Sequence, residues 1–129
     1  MKTSIVQWLF GLTAAIILLQ TLYFKFTGAE ESVYIFSTLG IEPYGRIGSG
    51  IAELIAAILI LIPRTTWLGA LMGASVMLGA IFFHLLVLGI EVKNDGGELF
   101  VLAIITFLCC LALIYWNKSK IINLLKLKL

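Results

Sequence analysis

The chain has 129 residues, enough for one domain, and carries a net charge of +2; 61% of its residues are hydrophobic and 12% charged. Typical soluble domains hold about 45–50% apolar and about 25% charged residues, and a soluble chain this short lacks the interior to hide so much apolar surface. A water-soluble domain is excluded as the first reading, and so small a positive charge gives no sign of a nucleic-acid partner.

A helix needs about 20 apolar residues to cross a bilayer core, and four stretches qualify. The first is residues 5–26. Its apolar run exceeds the roughly 7–15 residues of a secretory h-region and no small-residue cleavage site follows, so it reads as a retained span. The connection "TGAEESVYIFSTLGIEP" is amphipathic and predicts a short helix at the membrane interface. The second span is residues 44–62, with Pro43 suited to its first turn and Pro63 ending it. Residues 63–65 predict a tight turn into the third span, residues 66–89. A polar loop, "IEVKNDGGELF", leads to the fourth span, residues 98–116. Within it, Asp95 and Glu98 have the spacing of a capping box. The apolar runs are continuous rather than alternating, which argues against membrane strands. The fold expectation is an all-α integral membrane four-helix bundle.

Charge sets the orientation. Lys2, Arg64, Lys118, Lys120, Lys126 and Lys128 fall on one side with no acid among them. Glu30, Glu31, Glu42, Glu91, Asp95 and Glu98 fall on the other, beside Lys25, Arg46 and Lys93. The positive-inside rule then places both termini in the cytoplasm. The basic amphipathic tail, residues 117–129, is expected on the anionic inner leaflet, each basic residue contributing about 1 kcal/mol.

The polar residues inside the spans locate a candidate pocket. Arg46, Ser49, Gly50, Glu53 and Ala57 share one helical face, while Ile47, Ile51, Leu54 and Ile58 form another suited to lipid. Glu53 lies about 10 Å deeper than Arg46 at 1.5 Å per residue. A carboxylate at such depth costs on the order of 2.5–3.5 kcal/mol, so it must face the bundle interior and be protonated or paired. Lys25 closes the first span, with Gln20, Thr21 and Tyr23 below it. His84 continues a stripe of Gly69, Gly73, Met77 and Ala80, whose small residues suit a helix neighbour. Asp95 and Glu98 open the fourth span. The expectation is that Arg46, Lys25 and His84 converge on Glu53 in the outer half, above an apolar inner half.

Other chemistry finds little support. Cys109 and Cys110 are adjacent in an apolar run, which fits neither a disulfide framework nor a metal or redox pair. One histidine with scattered carboxylates lacks the repeated spacing of zinc or di-iron sites. No nucleophile–base pair follows from spacing, so no catalytic residue is assigned.

The segments "QTLYFKFTG", "YGRIGSGIAELIAAILILIPRT", "GAIFFHL" and "NDGGELF" resemble the DoxX family of small four-span membrane proteins. The similarity runs from about Gln20 to Trp116, its most specific part being G-R-x-x-G-x-x-E-L from Gly45 to Leu54. The resemblance implies a four-helix membrane bundle in a bacterial inner membrane. It implies quinone-linked or partner-dependent redox work in some relatives. The matching positions are Lys25, Arg46, Glu53, His84 and Asp95.

Three functions are weighed. In the first, the pocket takes a quinone or lipid head and the chain is an accessory subunit of a redox system, with a soluble or membrane redox partner. No motif supports an autonomous oxidoreductase or identifies a resident cofactor. In the second, the chain is a non-catalytic binding or assembly factor for a protein, an amphiphile or a second copy of itself. The third is a small transporter, against which the apolar inner half argues.

Overall fold

The computed structural model describes residues 5–90, 96–119 and 121–123. Asp95, in the loop before the fourth span, and most of the basic tail lie outside them. The elements are α1 (Ile5–Thr27), α2 (Glu30–Thr38), α3 (Tyr44–Leu61), α4 (Thr66–Phe83) and α5 (Glu98–Trp116). A π-helical turn, His84–Leu88, extends α4. Helices α1, α3, α5 and the extended α4 are each long and apolar enough to cross a membrane. Their packing closes a ring: α1 against α3, α3 against α4, α4 against α5, and α5 back against α1. No strand occurs among the described residues.

The distribution of side chains by size explains the bundle. Its centre is built from Ala14, Ala15, Ala56, Ala57, Ala70, Ala74 and Ala103, with Leu18, Ile60, Cys110 and Leu113 between them. Large apolar residues point outward in mid-helix: Ile16 is 61% exposed, Phe82 54% and Leu108 56%. Lipid tails are as apolar as leucine, so membrane helices associate through close packing of small residues rather than by hiding large ones. The tightest approach is at Gly69. A Cβ there would lie 2.6 Å from the Ile60 nitrogen and 2.7 Å from the Ala56 oxygen, so α3 and α4 touch backbone to backbone.

Local sequence fixes the helix ends. Thr65 Oγ1 donates to the Leu59 oxygen at 2.9 Å and Thr66 Oγ1 to the Ile60 oxygen at 2.8 Å. The two hydroxyls satisfy carbonyls at the end of α3 that have no helical partner, and the chain reverses at once into α4. Pro43 immediately precedes α3, after a cis Glu42–Pro43 peptide, rather than sitting in its first turn. The Asp95 half of the expected capping box lies outside the described residues. Gly97, at φ +86, precedes α5 and the Val101 N–H donates to its oxygen. The paired glycines turn the chain in a left-handed conformation, and the helix begins at Glu98.

The inward face of α3 agrees with the helical wheel. Gly50, Glu53 and Ala57 are buried, whereas Ile47, Ile51 and Ile58 are exposed. Helix α2 packs on α1 and α3 at the end of the bundle where α1 stops and α3 begins.

Candidate functional site

At that end the helices enclose a cavity of about 520 Å³. It exists because α1, α3, α4 and α5 place small residues at the centre while α2 crosses the opening. Helix α1 contributes Gln20, Thr21, Phe24 and Lys25, and α3 contributes Ser49 and Glu53. Ala80, Phe83, His84 and Leu88 line it from α4 and its π-turn; Glu98, Leu99 and Leu102 do so from α5. Helix α2 covers it with Ser32, Ile35 and Phe36, and Leu39 follows just beyond that helix.

Glu53 is 1% exposed. Lys25 Nζ reaches its Oε1 at 2.5 Å, and Thr21 Oγ1 lies 3.1 Å from its Oε2. The Thr21 oxygen is also 2.9 Å from the Leu18 carbonyl, so its single proton serves one acceptor at a time. Thr21 and Lys25 sit one helical turn apart on α1 and grip both oxygens of a carboxylate supplied by α3. The Lys25 ammonium also stands 5.5 Å from the Phe36 ring centroid, within the range of a cation–π contact. A buried charge survives only when paired and hydrogen-bonded, and Glu53 is both.

Arg46 does not converge on Glu53. Its Nε and Nη2 hold both oxygens of Glu42 at 2.7 and 3.2 Å, and its Nη1 donates to the Lys25 carbonyl oxygen at 2.5 Å. The reason is reach. Arg46 is two helical turns above Glu53, while Glu42 is four residues away and adjacent. The planar guanidinium fork suits that two-point grip. Arg46 therefore ties the end of α1 to the start of α3 and closes the base of the segment that carries α2. It is not among the cavity-lining residues.

His84 is 5% exposed and lines the cavity. Its Nδ1 lies 3.0 Å from the Gly89 oxygen, while the Gly89 N–H donates to the His84 oxygen at 2.7 Å. The pair clasp across the π-turn. A carbonyl only accepts, so Nδ1 carries the proton. Gly89 adopts φ +83 and ψ 167, a conformation essentially confined to glycine. Phe100 of α5 sets its ring edge-to-face on the imidazole at 5.5 Å. Single-turn π-bulges recur at functional sites.

The remaining candidates divide. Gln20, Ser49 and Glu98 line the cavity; Tyr23 is 66% exposed outside it. Ser32, Phe36 and Gly89 belong to the site without having been candidates. The lysine–threonine spacing on α1 was a usable signal for Thr21, whereas no local pattern announces the π-turn or the inward face of α2. Cys109 and Cys110 are buried free thiols. No group of three metal-ligating residues occurs among the described residues.

Comparison with known proteins gives no match to a family model, a curated protein or a solved structure. The class is set by the fold itself: four long apolar helices, apolar outside and small inside, make a multi-pass helical membrane bundle with a polar-ended cavity at one end.

Proposed function

We propose that the chain is a DoxX-like protein of the bacterial inner membrane whose cavity binds a small amphiphile, a quinone or a lipid, as an accessory subunit of a redox system. The supporting observation is the cavity: polar groups from α1, α3, α4 and α5 gather around one apolar-walled space of about 520 Å³. Ligand pockets are commonly about 300–1,000 Å³, mostly apolar, with a few placed polar groups. An amphiphile would set its head among Thr21, Lys25, Glu53 and His84, and its tail along Phe24, Phe83 and Leu102. Both termini face the cytoplasm in this reading, supported by the six bases without an acid on that side. The cavity then opens toward the outer face, with α2 at the interface above it.

Binding requires no electron transfer by the chain itself, so a redox role depends on a soluble or membrane partner. The test is mass spectrometry of the organic extract from gently purified protein, wild type beside Glu53→Gln. A stoichiometric quinone reduced in the variant supports the redox-subunit reading. A stoichiometric lipid supports an amphiphile-binding or assembly role without redox chemistry. Neither compound in either sample refutes the cavity as an amphiphile site.

A further inference from the structure

The charges around the cavity are almost fully spent. Lys25 is neutralised by Glu53 at 2.5 Å, and Arg46, outside the lining, by Glu42 at 2.7 Å. Glu98 lines the cavity and makes no ion pair among the described residues. The lining thus carries one basic side chain of the lysine–arginine kind, Lys25, against two carboxyls, Glu53 and Glu98, with His84 beside them. An anionic head would meet Glu98 without an uncommitted cation from the lining.

The histidine adds a direction. Because Nδ1 donates to the Gly89 carbonyl, the neutral ring has its lone pair on Nε2. That nitrogen has no protein partner among the described residues, and the cavity is the open space beside this buried ring. A lone pair in an apolar-walled site is satisfied by a donor, and a carboxylate or phosphate diester has none to offer.

Building on the amphiphile reading above, we propose that the cavity selects a hydroxyl head, an alcohol, phenol or hydroquinone, which donates to His84 Nε2, and that it rejects anionic heads. The ion pair then polarises and positions without supplying net charge. For a quinone couple, the reduced, hydroxyl-bearing form binds more tightly than the oxidised form. Lipids with an anionic phosphate head are not its ligands.

The experiment uses full-length protein in nanodiscs of zwitterionic lipid. Three compounds with one tail are titrated: 4-octylphenol, its methyl ether and 4-octylbenzoate. Binding is read by calorimetry against protein-free nanodiscs. The ether, lacking the donor, is expected to bind about tenfold more weakly than the phenol, the scale of losing one hydrogen bond to a buried group. The benzoate is expected to be weaker by about tenfold or more. His84→Phe should abolish the preference for phenol over ether. Glu53→Gln should strengthen benzoate binding, because Lys25 then lacks its carboxylate. The wild-type series decides the matter even if a variant does not fold. Equal binding of phenol and ether, or benzoate binding as tight as the phenol, overturns the hydroxyl selection and leaves the amphiphile reading standing. Binding of none of the three overturns both.

Discussion

Removing the counter-charge of Glu53 is the sharpest perturbation the structure offers. Lys25→Met keeps most of the side-chain bulk and deletes the ammonium that lies 2.5 Å from Glu53 Oε1. Glu53, 1% exposed, would be left with Thr21 alone, and truncating one member of a buried pair typically costs about 3–5 kcal/mol. Reversible unfolding in mixed micelles at pH 7 measures it, with wild type, Lys25→Met and Lys25→Met/Glu53→Gln side by side. The single variant should lose about 3–4 kcal/mol at pH 7, and the double variant should return to within about 1 kcal/mol of wild type, since replacing both members of a buried pair is often near neutral. A single variant as stable as wild type would refute the assignment of Lys25 as the partner of Glu53.

Two further outcomes test the packing. Gly69→Ala puts a methyl 2.6 Å from the Ile60 nitrogen, and backbone cannot yield as a side chain does. A loss of about 1–3 kcal/mol is expected in the same unfolding assay. Gly79→Ala meets nothing within 4 Å and should be neutral or stabilising by up to about 1 kcal/mol through helix propensity; equal losses at both sites would contradict the close α3–α4 contact. Thr106 is fully buried in α5 and its Oγ1 has no hydrogen-bond partner among the described residues. Thr106→Val removes that orphan hydroxyl at nearly constant shape, and stability should rise by up to about 1 kcal/mol. A loss above 1 kcal/mol on the denaturation curve would mean that the hydroxyl is hydrogen-bonded in the membrane.

Hydropathy along the chain was enough to specify the helices and the inward turn of Glu53. Continuous apolar runs of bilayer length leave a chain no alternative to helices that satisfy their own backbone, and the observed ends of the four long helices fall within one residue of the expected spans. A carboxylate at the tenth residue of such a run, as Glu53 is in Tyr44–Leu61, must face other helices, because lipid offers it no partner. The sequence did not determine which cation that partner would be. Arg46 and Glu53 share a helical face, yet Lys25 of α1 makes the pair, because relative height and side-chain reach are properties of packed helices. The role of α2 was likewise tertiary: its amphipathic pattern suits an interface, but only the ends of α1 and α3 turn Ser32 and Phe36 over the cavity. The tautomer of His84 was decided last, by a π-turn and one left-handed glycine that bring the Gly89 carbonyl to Nδ1. Hydropathy acts residue by residue and is legible along the chain, whereas hydrogen-bond partners are chosen by distances that exist only after the helices have packed.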